Sequence, residues 1–230
     1  MAFDLLAVAL AVLGGWLAYR WCFQAALEDT ASRINNGYFI ALSAGSVVGA
    51  YLFGTLNLYL SGIPEAGRSI VGALFGATMM VELYKARKDV KGSTGYIYVI
   101  PFSICVIVGR LGCFFSGLKD NTYGLPTSLP WGVDFGDHIM RHPVQLYESL
   151  SMLVFLVAII VALKCCRGII IRYGYYLCVG FYALQRFLWE FLKPYAHILG
   201  PLNLFQYVCV ALIIYSLVMV LKVRNASRTT

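Results

Sequence analysis

Residues 146–163 read Leu-Tyr-Glu-Ser-Leu-Ser-Met-Leu-Val-Phe-Leu-Val-Ala-Ile-Ile-Val-Ala-Leu. Beyond Glu148 the run carries no charge until Lys164 closes it. A helix that crosses a bilayer needs about 20 mostly apolar residues, with a range of about 17–25. This run meets that need, and it is not alone. Similar segments cover residues 5–23, 38–60, 69–84, 96–115, 173–192 and 202–221. The segment 69–84 is short and carries Glu82, so it must tilt, thin the bilayer locally or form a re-entrant element. Composition agrees with the segments. Hydrophobic residues make up 60% and charged residues 13%, against about 45–50% and about 25% in an average soluble domain. Mean hydropathy is +0.75. Disorder, coiled coil, collagen and a small disulfide scaffold are excluded. In lipid every backbone polar group must be satisfied within its own segment. The expected fold is therefore an all-α, polytopic membrane helix bundle of about seven transmembrane helices, forming one domain over residues 1–230.

Basic residues set the expected orientation. The loops after the second, fourth and sixth segments carry four: Arg68, Lys119, Arg141 and Lys193. The loops after the first, third and fifth, with the C-terminal tail, carry twelve, from Arg20 and Arg33 through the Lys85–Lys91 and Lys164–Arg172 clusters to Lys222, Arg224 and Arg228. Cytoplasmic loops hold the excess of lysine and arginine, so the N-terminus is expected outside and the C-terminus in the cytoplasm. The first segment follows Asp4 and precedes Arg20, the wrong polarity for a signal peptide, and is expected to be a mature span. The longest loop, residues 117–145, then lies on the outer face as a small head or lid. It is rich in proline and glycine and holds two of the three histidines. A net charge of +7 is explained by these loops. No basic patch interleaved with aromatics stands outside the apolar runs, so no nucleic-acid partner is expected. The seven cysteines contain no CxxC pair, and neither a disulfide framework nor a metal site is indicated.

Four and twelve make sixteen, yet the chain has eighteen basic residues. The remaining two, Arg110 and Arg186, lie inside apolar segments. An arginine at the bilayer centre costs on the order of 2.5–3.5 kcal/mol, and such residues usually face an interior cavity and mark function. Arg110 lies seven residues before Gly117, and Arg186 seven before Lys193. At about 1.5 Å per residue, each sits roughly 10 Å below the outer surface. Two guanidinium groups at one depth can converge on one anion entering from the outer leaflet. A phospholipid phosphate fits, because guanidinium matches phosphate oxygens in bidentate fashion. The competing reading of Arg186 is a helix-internal pair with Glu190, four residues on; Tyr182, four residues back, shares the stripe. For Arg110 the competing reading is snorkelling to the headgroups. Glu148 is a candidate partner for Arg110 or a proton acceptor. Gln206 opens the last segment in the outer half. Cys113 lies one turn from Arg110, and a packed thiol is the plainer reading of it. For His142 a structural histidine at headgroup level competes with a general base.

Three strings carry a family resemblance: Gly109-Arg110-Leu111-Gly112-Cys113-Phe114-Phe115, Arg141-His142-Pro143-Val144-Gln145-Leu146-Tyr147-Glu148, and Gln185-Arg186-Phe187-Leu188-Trp189-Glu190-Phe191. With Pro130-Trp131-Gly132 they resemble blocks of the bacterial prolipoprotein diacylglyceryl transferase family. The resemblance covers about the second half of the chain. It implies an inner-membrane enzyme that needs no cofactor. Such an enzyme moves a diacylglyceryl group from phosphatidylglycerol to the cysteine thiol of a lipoprotein precursor and releases glycerol phosphate. Arg110 and Arg186 would clamp the phosphate, with Glu148 and His142 completing the catalytic set. Arg141, Gln145, Tyr147, Tyr182, Glu190, Gln206 and Cys113 form the expected substrate-binding set. The sequence departs from the family pattern at three places. Val71-Gly72-Ala73 stands where the family reads His-Gly-Gly, Cys113 where it has asparagine, and Leu118 where it has glutamate. These departures imply a paralogue whose outer-face acceptor is a lipoprotein cysteine, a glycan or another lipid. A non-catalytic lipid- or partner-binding protein of the same fold is the alternative. A small-anion transporter is disfavoured, since no paired Gly/Pro-broken spans occupy corresponding halves.

Overall fold

The computed structural model describes residues 2–226; Arg228, counted above with the basic tail, lies outside them. α1 (Ala2–Ala18) passes through a π-helical turn at Tyr19–Phe23 into α2 (Gln24–Arg33) without interruption. Then follow α3 (Asn36–Leu60), α4 (Ile70–Lys88), α5 (Val99–Ser116), α6 (Val144–Cys165), α7 (Arg167–Glu190) and α8 (Leu204–Ala226). Two short antiparallel ribbons interrupt the helices. β1 (Val133–Asp134) pairs with β2 (Met140–Arg141), and β3 (His197–Leu199) with β4 (Leu202–Asn203). The fold is helical and polytopic, as expected, and every apolar segment of the sequence falls on a helix.

Local chemistry sets the helix ends. The Asn35 side chain accepts from the Gly37 N–H at 2.9 Å to start α3, and Ser69 Oγ accepts from the Gly72 N–H at 3.2 Å to start α4. These are the cap residues that satisfy free N–H groups at a helix start. α4 ends in Lys85, Arg87 and Lys88, with Asp89 left-handed behind them; cations suit the negative end of the helix dipole. α8 opens on a reciprocal cap. Asn203 Oδ1 accepts from the Gln206 N–H at 3.1 Å, and Gln206 Oε1 accepts from the Asn203 N–H at 2.9 Å. This is the capping-box arrangement built from two amides.

Five helical stretches are long and apolar enough to cross a membrane by length and composition: 2–33, α3, 96–120, α6 and α8. α4 and α7 fall short of that composition, and the reason is where their polar side chains go. In α7 every fourth residue from Ile170 through Gly174, Cys178, Tyr182 and Arg186 to Glu190 is buried. The stripe starts apolar and ends charged, so the helix lays its charge against its neighbours. The outer surface is apolar instead. Val8 and Val12 of α1, Ile40 and Val48 of α3, Val154 of α6 and Leu217 of α8 are all exposed, which is the surface a lipid solvent requires.

α3 and α4 meet backbone to backbone. A Cβ on Gly49 would lie 2.2 Å from the Gly72 carbonyl oxygen, and one on Gly76 2.1 Å from that of Gly45. Small residues permit this approach, and close packing is what holds helices together in lipid. Contacts between chain-distant residues sort the two ends of the bundle. Phe3 stacks on Phe115 at 5.2 Å, the Ala196 N–H donates to Ser61 Oγ at 3.1 Å, and the Tyr195 hydroxyl donates to the Asn121 carbonyl at 2.9 Å. These put the start of α1, the α3–α4 turn, the segment 117–143 and the α7–α8 connection at one end. At the other end Arg33 Nη1 donates to the Lys91 carbonyl at 2.9 Å.

Candidate functional site

The end that carries the 117–143 segment also carries a buried charge cluster. The last turns of α5 bring Arg110, the first turn of α6 brings Glu148, and the last turns of α7 bring Arg186 and Glu190. Lys193 follows just beyond α7. All five are buried. Glu148 is the hub. One of its oxygens, Oε1, pairs with Arg186 Nη1 and lies 2.6 Å from Lys193 Nζ. The other, Oε2, pairs with Arg110 Nε. Glu190 Oε2 lies 3.0 Å from Arg186 Nη2 and 4.0 Å from Lys193 Nζ. Glu190 Oε1 accepts from Asn203 Nδ2 at 3.4 Å, so the cap of α8 also holds the cluster. The Arg186 guanidinium sits 5.4 Å from the Phe205 ring centre.

Three cations face two carboxylates, which leaves one positive charge in excess. Buried ions are costly unless paired and hydrogen-bonded. Here the pairing is incomplete in a specific direction. Arg110 Nε, though ion-paired to Glu148, and Arg186 Nε are both buried without a hydrogen-bond partner among the described residues. The Tyr182 hydroxyl, one turn before Arg186, is likewise buried and unpartnered, as is the whole side-chain amide of Gln145, one turn before Glu148. Buried polar groups are rarely left unsatisfied. The N–H and O–H donors among these orphan groups lie on the same helix faces as the cluster, and they match an anionic, oxygen-rich ligand.

The other sequence-predicted residues fall in three places. Arg110, Glu148, Arg186 and Glu190 are joined directly, and Tyr182 and Gln145 share their helix faces. Gln206 is bound to Asn203, and its Nε2 donates to the Phe187 carbonyl at 3.4 Å; its amide is occupied by the α8 cap. His142 and Tyr147 belong to an aromatic group beside the cluster. The Tyr147 hydroxyl accepts from Trp131 Nε1 at 2.8 Å and lies 3.5 Å from His142 Nδ1, and the Tyr147 ring packs on Trp189 at 5.1 Å. No hydrogen bond or ion pair joins His142 to the cluster among the described residues. Arg141 turns away to Asp137, with Nη2 at 2.6 Å, and lies 4.9 Å from the Tyr123 ring centre. That hydrogen bond holds the Asp137 carboxyl below its ordinary pKa. Cys113 is a half-buried free thiol. Val71, at the position of the family histidine, is fully buried in the first turn of α4.

Sequence reading missed Lys193. It counted this lysine as an outer-loop charge, whereas the side chain is enclosed against Glu148. The available signal was spacing: Arg186, Glu190 and Lys193 follow one another at i, i+4 and i+7, a single helical face. A cavity of about 360 Å³ lies deeper in the bundle, between α3, α4, α5 and α7. Phe102 forms part of its wall and packs edge-on against Tyr182 at 5.1 Å, so one aromatic pair stands between the cavity and the charges. Among the described residues, no group of three or more His, Cys, Asp or Glu side chains is placed to hold a metal ion.

Comparison with known proteins places this architecture. The family model described as prolipoprotein diacylglyceryl transferase matches residues 5–222. Among curated relatives, a phosphatidylglycerol-prolipoprotein diacylglyceryl transferase of Geobacter sulfurreducens is 30% identical over 183 residues, 72% of this chain and 66% of its own length. The protein of the same name from Idiomarina loihiensis is 33% identical over 177 residues, covering 72% of this chain and 64% of the relative. That of a Wolbachia strain from Drosophila simulans is 28% identical over 215 residues, 83% of this chain and 78% of the relative. The chain thus spans just under two thirds of the length of the first two. No solved structure matches it.

Proposed function

The chain belongs to the prolipoprotein diacylglyceryl transferase family, and on that premise we propose that it transfers a diacylglyceryl group from phosphatidylglycerol to an acceptor thiol at the outer face of a bacterial inner membrane. The observation that carries this reading is the buried cluster with one positive charge in excess and with Arg110 partly unbonded. A phosphodiester carries one negative charge and would close that balance. Arg110 and Arg186 approach Glu148 from two different helices, and their remaining nitrogens would grip the phosphate oxygens.

The chemistry then follows from charge. The acceptor thiolate attacks the glyceryl carbon that bears the phosphate. A carbon–sulfur bond forms, the carbon–oxygen bond breaks, and glycerol phosphate leaves with the bonding electrons. Negative charge grows on the departing phosphate, and fixed guanidinium groups in a site shielded from water stabilise that growth. Glu148 is surrounded by three cations, which suits it to anchoring the arginines rather than to accepting a proton. His142, half-buried beside Tyr147 at the edge of the cluster, is the candidate base for the thiol. The names of the relatives favour a lipoprotein precursor cysteine as acceptor.

The test is direct. Purified protein is incubated with phosphatidylglycerol and a cysteine-containing lipoprotein-precursor peptide, and the peptide is weighed by mass spectrometry. A diacylglyceryl adduct on the thiol is the expected result. An unmodified peptide, under conditions where an active relative modifies it, would remove the thiol acceptor. Release of glycerol phosphate only in the presence of a periplasmic glycan or lipid would assign the acceptor there.

A further inference from the structure

Lys193 is the member of the cluster that brings a second cation to a carboxylate oxygen already paired. Glu148 Oε1 already receives Arg186 Nη1, and Oε2 already faces Arg110. Lys193 adds a second cation to the same Oε1, at 2.6 Å, with its side chain wholly enclosed. It does so beside the like charge of Arg186. Its backbone N–H donates to the Glu190 carbonyl at 3.2 Å, which continues the α7 turn and fixes its position. Without Lys193, two arginines and two carboxylates sum to zero, and each guanidinium is spent on a carboxylate. With it, the sum is one positive charge, in a cluster where Arg110 and Arg186 each keep an Nε without a hydrogen bond among the described residues.

We propose that Lys193 is a positioning and specificity-determining residue: by adding a third cation to Glu148, it sets the site to one net positive charge, which selects a monoanionic phosphodiester lipid. This rests on the phosphatidylglycerol reading above and adds the reason for donor selection. A phosphate monoester lipid such as phosphatidic acid brings up to two negative charges and over-fills the balance. Phosphatidylethanolamine brings its own ammonium and returns the excess positive charge to a buried site. A charge left uncompensated there is strongly disfavoured.

The experiment measures binding of phosphatidylglycerol, phosphatidic acid and phosphatidylethanolamine to the detergent-purified full chain by native mass spectrometry. Wild type is expected to prefer phosphatidylglycerol. Lys193→Met should weaken that lipid by about tenfold or more, as truncating one member of a buried charge set does, while Lys193→Arg should keep it. Removing charge of both signs, in Lys193→Met with Glu148→Gln, restores one net positive charge and should recover the affinity. Glu148→Gln alone leaves two positive charges and should shift preference towards phosphatidic acid. A merely structural lysine would predict neither the recovery nor the shift. The proposal is overturned if Lys193→Met binds phosphatidylglycerol like wild type, or if the double variant does no better than the single one. If Lys193→Met does not fold, the Lys193→Arg and double variants carry the comparison, and weak binding by a folded double variant overturns it. If wild type itself shows no preference for phosphatidylglycerol, the donor reading fails first and this inference with it.

Discussion

Arg110 and Arg186 are equivalent in the sequence, each a cation seven residues before the first residue of an expected outer loop, Gly117 and Lys193, but they carry different amounts of structure. Arg186 bridges both carboxylates, Glu148 and Glu190, and packs near Phe205. Among the described residues Arg110 pairs with Glu148 alone, through Nε. Replacing each with alanine should therefore separate binding from folding. Arg110→Ala should lower transfer by about 100-fold or more, the scale of losing one fixed donor to developing charge. Its thermal midpoint in detergent should fall less than that of Arg186→Ala, because Arg110 holds one carboxylate and Arg186 two. Arg186→Ala should lose activity and more stability, because it removes the partner of both buried carboxylates; breaking a buried pair costs roughly 3–5 kcal/mol. Equal stability of the two variants would refute the asymmetry. Arg110→Lys should recover little activity, since an ammonium cannot grip two oxygens in parallel. The two arginines were legible in the sequence because they break an apolar pattern. Lys193 was not, because it follows the last apolar residue, Leu192, and so looks like a loop charge. Only its spacing from Arg186 and Glu190 carried a signal, and that signal went unread.

Helix positions were legible for a related reason: apolar runs of this length have few alternatives in lipid. What the sequence hid was how the helices face one another. α4 looked short and charged, and its glycines carried no message by themselves. In the structure they let α4 touch α3 backbone to backbone, which is worth a direct test. Gly76→Leu places a side chain where the Gly45 carbonyl oxygen sits 2.1 Å from a Cβ. Overpacking of this kind costs about 1–3 kcal/mol, or more when the backbone itself must move. The thermal midpoint should fall and the α3–α4 pair should separate, read as loss of a disulfide engineered across the interface. A midpoint unchanged from wild type would mean that the two helices do not pack this way. The β1–β2 ribbon offers a milder test at the same scale. Asp137 is held below its ordinary pKa by Arg141. Its folded value is depressed, so the contribution is present above the ordinary carboxylate pKa of about 3.9 and is lost as pH falls through the lower folded value. Arg141 should stay paired at pH 5 and release only in stronger acid, followed by the carboxyl carbon shift of Asp137.

At the scale of the whole molecule, the two ends differ in charge, and this difference predicts an orientation for the chain. Moving Lys193 from the loops into the cluster leaves Arg68, Lys119 and Arg141 at the end that holds the site, against the basic clusters at the other end. The asymmetry is thus greater in the structure than in a count along the chain. The positive-inside rule predicts that the site faces outward, in which case the donor would come from the outer leaflet. The chain supplies its own probe for this. Cys165 and Cys166, at the α6–α7 turn, are exposed, whereas Cys22, Cys178 and Cys209 are buried. A membrane-impermeant maleimide should leave both thiols unlabelled in intact spheroplasts and label them in inside-out vesicles. Replacing Cys165 and Cys166 with serine should remove that labelling and so assign it to the turn. Labelling from the outside would invert the molecule. The cluster would then open to the cytoplasm, and any donor would have to come from the inner leaflet.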